Sequence, residues 1–156
     1  MSDIPPITGV AEIVLNVRDL STMRAFYRDV LGFPVHSEAC HDVSEIATPG
    51  GEPTICFLVV RESTSPLGRH GHPELLVLID RERHVFAKRF TGHNVAHSTL
   101  NHLAFEIPPD SAEWHRARLV DLGYEPVDTA FPAMQARAMF IRDPEGNSIE
   151  LIWHDA

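Results

Sequence analysis

The stretch TLNHLAFEI (Thr99–Ile107) repeats the pattern of an earlier stretch, GVAEIVLNV (Gly9–Val17). Both stretches alternate apolar and polar residues with a period of two, which is typical of a β-strand with one buried face. A helical pattern follows each strand, and each helix is expected to end at a glycine, Gly32 or Gly123. Glycine is the usual residue just past a helix end. The chain therefore reads as two related halves.

Each half has room for three further strands after its helix. The predicted strands are about 35–47, 53–61 and 72–80 in the first half, and about 127–131, 136–142 and 148–155 in the second. The sequence DPEGN (Asp143–Asn147) predicts a tight turn into the last strand. We therefore predict an α+β fold of two tandem βαβββ modules with pseudo-twofold symmetry. The modules are 1–80 and 99–156, joined by a linker over 81–98 within one structural domain.

The composition excludes several classes of partner. The 156 residues carry 22 acids against 13 lysines and arginines, a formal net charge of −9. That charge argues against nucleic acid and against anionic membrane surfaces as partners. No apolar run approaches the ~18–20 residues of a membrane span, and Cys40 and Cys56 do not make a disulfide framework. We expect a cytoplasmic protein with a small-molecule substrate.

Polar residues on the non-helix faces of the strands form the candidate site. Ile13, Leu15 and Val17 are expected to face the helix, so that Glu12, Val14 and Asn16 point the other way. Pseudo-twofold symmetry then relates Glu12 to His102, and Glu74 to Glu150. Taken singly, each of these residues is more typical of a solvated or hydrogen-bonded polar side chain than of a metal ligand. As a set on half-apolar faces, however, three carboxylates would repel one another without a cation, so the set predicts a metal site.

The remaining histidines carry less information. Five are predicted to lie on the surface: His36, His41, His70, His84 and His115. Four others are candidates for the rim of a pocket: His72, His93, His97 and His154.

Three stretches carry a resemblance to a known family: LNVRDLSTMRAFYRDVLGF (Leu15–Phe33), LNHLAFEI (Leu100–Ile107) and FIRDPEGNSIELI (Phe140–Ile152). Over about residues 7–153 the chain resembles the vicinal oxygen chelate superfamily. That superfamily includes glyoxalase I, fosfomycin- and bleomycin-resistance proteins, methylmalonyl-CoA epimerase and type I extradiol dioxygenases. The resemblance implies paired βαβββ modules whose curved mixed sheets enclose a metal or ligand cavity.

The same resemblance implies a ligand set for a divalent metal. Its positions correspond here to Glu12, His102 and Glu150, with Glu74 as a further ligand in glyoxalase-I-like members. Glu12 stands where the family usually has histidine or glutamine, so the site would be harder and more negative. Such a site suits Mn, Mg, Zn, Ni or Co at least as well as Fe. Alternatively, Glu12 is not a ligand and the site is weakened or lost.

Three functions remain open from the sequence. The first is a metalloenzyme of isomerase or lyase type, acting on a small oxygen-bearing substrate, in which Glu12 or Glu150, or Glu74, shuttles a proton. The second is an extradiol dioxygenase, which is disfavoured because Phe140 replaces the family's tyrosine and the preceding FPAMQARAM holds no histidine.

The third function is a metal-free ligand-binding protein of the bleomycin-resistance type. Its pocket would have apolar walls, for which the candidates are Val14, Leu76, Leu78, Ala104 and Ile152. In all three cases we expect a homodimer, because such modules often complete or flank their cavities across a subunit interface.

Overall fold

The computed structural model describes residues 9–62, 73–89 and 100–154 of the chain. The chain divides into two compact units, Met1–Thr91 and Gly92–Ala156. The predicted module bounds with a separate linker over 81–98 stay a prediction. Four of the predicted surface or rim histidines lie outside the described residues: His70, His72, His93 and His97.

The first unit has the predicted β-α-β-β-β order. Its elements are β1 (Glu12–Val17), α1 (Leu20–Ala25), β2 (Val35–Ala39), β3 (Ile55–Arg61) and β4 (Glu74–Asp80), followed by a short helix α2 (Val85–Arg89). The sheet has the strand order β1-β4-β3-β2. β1 and β4 are parallel, whereas the other pairs are antiparallel.

The first helix ends at its predicted glycine, but it changes its winding before that point. Asp19 caps the N-terminus by accepting the Thr22 backbone N–H at 2.9 Å. The turn Phe26–Val30 is a wider π-helical turn, and Gly32 ends it with φ at 81°. The helix contacts β3 and β4.

The second unit repeats the order of the first. Its elements are β5 (Leu103–Glu106), α3 (Ala112–Asp121), β6 (Val127–Phe131), β7 (Ala136–Arg142) and β8 (Ser148–His154). The strand order β5-β8-β7-β6 matches that of the first sheet. The prediction of an α+β fold with two mixed four-stranded sheets is therefore confirmed. β5 is shorter than predicted, and His102 directly precedes it.

Two features of the described residues bear on the predictions from composition. None of their helices combines the length and apolarity that a membrane crossing requires. Both cysteines are free and buried. Burial raises the pKa of the Cys56 thiol to about 12, so this thiol stays protonated near neutral pH.

The turn before β8 sets the start of the strand that carries Glu150. The buried carboxylate of Asp143 accepts the backbone N–H groups of Glu145 and Asn147 at 3.0 and 2.9 Å. It also accepts the Asn147 side-chain amide at 2.7 Å, and Gly146 has a φ of 88°. These bonds fix the turn and with it the register of β8 on β7.

We expect Asp143→Ala to destabilise the protein by about 2 kcal/mol, because it leaves two backbone N–H groups without their acceptor. Denaturant unfolding would measure the change in the free energy of unfolding. Asp121→Ala, at the exposed end of α3, is the control and should change it by less than about 0.5 kcal/mol. Equal effects of the two substitutions would contradict this role for the turn.

His84 is fully buried, so its prediction as a surface residue was wrong. Its Nδ1 accepts the Phe86 backbone N–H at 3.1 Å, and its ring lies 5.6 Å from the half-buried ring of His41. Burial, followed by the proximity of His41, lowers the pKa of His84, while Asp80 opposes the shift. The folded protein therefore keeps this imidazole neutral at a pH where an unfolded chain would protonate it.

This burial predicts a loss of stability in acid. The unfolded chain takes up a proton near its ordinary pKa of about 6.5, whereas folded His84 does not. The free energy of unfolding should therefore fall by up to about 1.4 kcal/mol per pH unit below about pH 6.5. His84→Asn keeps an acceptor for the Phe86 N–H but does not titrate. Denaturant unfolding at about pH 7.5 and about pH 5.5 should show a smaller loss in the variant, and equal losses would refute this explanation.

Candidate metal centre

Two of the predicted ligands, His102 and Glu150, are brought together by adjacent parallel strands. β5 and β8 pair so that Ala104 lies opposite Glu150. Register partners project from the same face of a sheet, and so does every second residue along a strand. His102, two residues before Ala104, therefore points to the face of Glu150, and its Nε2 lies 3.1 Å from the Oε2 atom of Glu150.

The carboxylate of this pair is buried, although the imidazole is not. The Glu150 side chain is 5% exposed, whereas that of His102 is 38% exposed. A carboxylate removed from water is costly unless it meets a hydrogen-bond donor or a cation. His102 is in position to donate a hydrogen bond to this carboxylate, or to bind a cation together with it. Its own ring is partly exposed to solvent.

A second contact orients the ring of His102. The other ring nitrogen, Nδ1, lies 2.7 Å from the Asn101 side-chain oxygen. In the tautomer in which Nδ1 donates its hydrogen to this oxygen, Nε2 directs a lone pair towards the carboxylate of Glu150. An imidazole in that form can bind a metal ion that Glu150 also binds.

The arrangement fits a divalent metal. Imidazole nitrogen and carboxylate oxygen are both common ligands of Zn, Mn and Fe. A ligand histidine usually donates its other ring N–H to an oxygen that fixes the ring, and Asn101 supplies that oxygen here. The sequence analysis did not single out Asn101, although its place next to His102 was visible.

An aromatic ring stands on the other side of Glu150. β7 and β8 pair antiparallel with Phe140 opposite Glu150, so the two side chains share a face. The rings of Phe140 and His102 are 5.8 Å apart and nearly perpendicular, at 78°. Glu150 therefore lies between β5 and β7 residues that each contribute a ring to its surroundings. Phe140 occupies the position at which the sequence comparison with extradiol dioxygenases expects a tyrosine.

In the first unit, Glu12 lies on the face of the sheet that is opposite to α1. Arg24 of α1 forms an ion pair with Glu38 of β2 at 2.7 Å. The Glu38 side chain therefore lies on the face of the sheet that α1 covers. Glu12 is opposite Leu75 of β4, and Leu75 belongs to an apolar cluster on the other side. The predicted orientation of Glu12 is confirmed, and its side chain is exposed at the start of β1.

The register of β4 corrects the prediction for Glu74. Glu74 precedes Leu75, so it projects toward the helix side, away from the face of Glu12. There it pairs with Arg61 at 3.2 Å. The residue of the first sheet that matches Glu150 is Val77, because Val77 pairs with Val14 as Glu150 pairs with Ala104. The prediction that Glu74 corresponds to Glu150 and shares a face with Glu12 was wrong.

The same register corrects part of the predicted apolar wall. Leu76 and Leu78 pair with Leu58 and Cys56 of β3. They lie on the helix side, where both are fully buried. They therefore cannot line a cavity on the face of Val14, whereas Ala104 and Ile152 do lie on the face of Glu150.

The family of the chain follows from a comparison of its sequence with family models. The model described as the Glyoxalase/Bleomycin resistance protein/Dioxygenase superfamily matches residues 9–151. The chain belongs to this superfamily. A search of curated proteins finds no match.

Solved structures of superfamily proteins share the fold. Lactoylglutathione lyase from Agrobacterium tumefaciens is 20% identical, with a TM-score of 0.60 and 96% of each chain covered. A mutant of the fosfomycin resistance protein FosX from Listeria monocytogenes, complexed with Mn(II) and dihydroxypropylphosphonic acid, is 18% identical. Its TM-score is 0.60, with 94% of this chain and 90% of that chain covered. A glyoxalase/dioxygenase from Nostoc punctiforme is 20% identical, with a TM-score of 0.59 and coverage of 100% and 99%.

Within neither unit do the described residues group three or more His, Cys, Asp or Glu side chains around one point. The second unit supplies the pair His102 and Glu150. Glu12 belongs to the first unit, so its place in a superfamily metal site stays a prediction.

A groove of about 620 Å³ lies elsewhere in the second unit, along α3 and the edge of the sheet. It is lined mainly by residues of the sheet face opposite to Glu150, including Arg137 and Trp153. The Arg116 guanidinium in it is paired with Asp128. The groove is therefore distinct from the His102–Glu150 pair and has no ligand set for a metal.

Proposed function

We propose that this superfamily member is a divalent-metal-dependent enzyme of the glyoxalase type, acting on a small substrate with two neighbouring oxygens. The observation that supports the proposal is the contact of 3.1 Å between His102 Nε2 and the buried carboxylate of Glu150. The fosfomycin resistance protein with the same fold is complexed with Mn(II). The metal of this chain would be one of Zn, Ni, Mn, Co or Fe.

In this proposal His102 and Glu150 hold the metal, and Glu12 is the predicted third ligand. Asn101 holds the imidazole in the orientation that directs Nε2 to the metal. A bound divalent cation supplies Lewis-acid polarisation of substrate oxygens. Glu74 is left out of the ligand set because it pairs with Arg61 on the other side of its sheet.

The chemistry we propose is proton transfer of the isomerase or lyase type. Such a reaction needs a carboxylate that can approach a C–H group of the substrate. Glu150 is buried and committed to His102, whereas Glu12 is exposed. We therefore assign the proton-transfer role to Glu12 rather than to Glu150.

Phe140 disfavours the dioxygenase alternative. A phenyl ring can neither donate nor accept a proton, and it stands directly beside Glu150.

The ligand-binding alternative is favoured by one feature, the apolar face of the first sheet, on which Val77 replaces a second carboxylate. Metal content separates these alternatives. A homodimer and a cytoplasmic location remain predictions.

The proposal predicts one equivalent of a single metal in protein purified without a histidine tag, measured by elemental mass spectrometry. His102→Ala and Glu150→Ala should each lose it while the fold survives, as checked by circular dichroism. His154→Ala is the matched control, because His154 is an exposed histidine of the same sheet, and it should keep the metal.

Unchanged metal content in folded Glu150→Ala would refute the assignment of the ligands. No metal in the wild-type protein, even after loading with each candidate ion, would refute the proposed enzyme. That result would favour the metal-free ligand-binding protein.

A second prediction separates Glu12 from Glu74. Glu12→Gln should weaken metal binding at least about tenfold, as the loss of a ligand or of its supporting charge does. Glu74→Gln should leave the affinity unchanged, because it removes a carboxylate paired with Arg61. Competition with a fluorescent chelator would give both dissociation constants. Equal affinities in the two variants would remove Glu12 from the ligand set.

A further inference from the structure

The sheet face that carries Glu150 is apolar around the carboxylate and is not fully covered. Ala104 and Glu150 are register partners, and Phe140 is the partner of Glu150 on the other side. Val127 of β6 follows next to Phe140 in the same row. Ala104 is exposed, Phe140 is half-buried and Val127 is 64% exposed. An apolar row therefore runs from β5 to β6 directly past the buried carboxylate.

The next row of the same face is apolar as well. Ala138 pairs with Ile152 of β8 and with Thr129 of β6. Ala138 is fully buried, while Ile152 is half-buried. Of the two alanines, Ala104 is the exposed one, and its small side chain lies in the same row as Glu150 and Phe140. Exposed apolar surface next to a candidate metal centre is typical of a surface that binds the apolar part of a ligand.

The charges on this face are unsuited to an anionic ligand. Alternation along the described strands puts Glu106 on it beside Glu150. The exposed Glu106 carboxylate, 3.7 Å from His154 Nδ1, would repel a carboxylate or a phosphonate that lies beside it. The one guanidinium that the same alternation assigns to this face belongs to Arg142, opposite Ser148 at the turn. Its Nη1 donates to the Gly146 carbonyl at 2.9 Å, so it is engaged in holding the turn.

From these observations we infer that the substrate is uncharged apart from its metal-binding oxygens and carries a flat apolar group, best an aromatic ring, that packs on Phe140. The inference rests on the proposed function, since it places the substrate oxygens at the metal held by His102 and Glu150. It distinguishes this chain from the structural neighbours whose names refer to a phosphonate or to a glutathione conjugate. Phe140 is then a residue that determines specificity rather than a missing catalytic tyrosine.

Three hydroxamates test the inference, because each chelates a metal through two neighbouring oxygens. The probes are acetohydroxamate, benzohydroxamate and 4-carboxybenzohydroxamate, titrated calorimetrically into the full-length metal-loaded protein. Burial of a phenyl ring should make benzohydroxamate bind at least about tenfold more tightly than acetohydroxamate. The added carboxylate should cancel that gain.

Phe140→Ala should remove most of the preference for benzohydroxamate and leave the affinity for acetohydroxamate within about twofold. Trp114→Ala is the control, because it removes an aromatic residue that is exposed on α3, and it should change neither affinity. Three results would each overturn the inference: a carboxylated probe that binds as tightly as benzohydroxamate, a preference that survives Phe140→Ala, or metal-loaded protein that binds no hydroxamate.

A metal-free measurement separates the failure of this inference from that of the proposed function. Benzamide and benzoate are compared by ligand-observed NMR on the protein without added metal. Binding of benzamide but not benzoate, lost in Phe140→Ala, would support the apolar face even if the protein proved to bind no metal. Binding of benzoate in preference to benzamide would overturn the inference whatever the metal content.

Discussion

The contact between His102 and the buried carboxylate of Glu150 is the constraint on which the candidate site depends. A carboxylate in the interior is destabilising unless a donor or a cation compensates it. The imidazole of His102, 3.1 Å from that carboxylate, is the group in position to compensate it. A proton shared by the two side chains would compensate the buried carboxylate. A divalent metal bound by both would compensate it as well, and it would also polarise a substrate oxygen.

The fold supplies this contact through strand register. β8 lies between β5 and β7, so a residue in its middle has a neighbour on each side. Those neighbours bring His102 and Phe140 to the same carboxylate. The Asp143 turn fixes where β8 begins, and a shift of one residue would turn Glu150 to the opposite face. Folding and site geometry therefore depend on the same few hydrogen bonds.

Much of this arrangement could be predicted from the sequence, because period-two alternation assigns side chains to faces without knowledge of the fold. His102 and Glu150 were predicted on this basis. The error with Glu74 has a specific cause: the likeness between HPELLVLID and SIELIWHD aligned two glutamates, whereas hydrogen bonding to β1 aligns Val77 with Glu150. Sequence similarity between two strands does not determine their register. A register shift by an odd number of residues moves each side chain to the opposite face of the sheet.

Other features depend on tertiary contacts that local patterns do not carry. The polar segment around His84 looks like surface in sequence, but its imidazole is enclosed beside His41. The wider helical turn at Phe26–Val30 has no distinctive composition. Phe140 was read as the absence of a tyrosine, and only the pairing of β7 with β8 shows that it flanks Glu150 and adjoins an apolar surface.

Anomalous diffraction from crystals of the protein soaked in Zn(II), with data collected on both sides of the zinc absorption edge, would show directly whether His102 and Glu150 hold a metal. We expect one strong peak between His102 and Glu150, about 2.0–2.2 Å from Nε2 of the histidine and from a carboxylate oxygen of the glutamate. A strong peak elsewhere, with His102 and Glu150 still in direct contact, would show that this pair does not hold the metal.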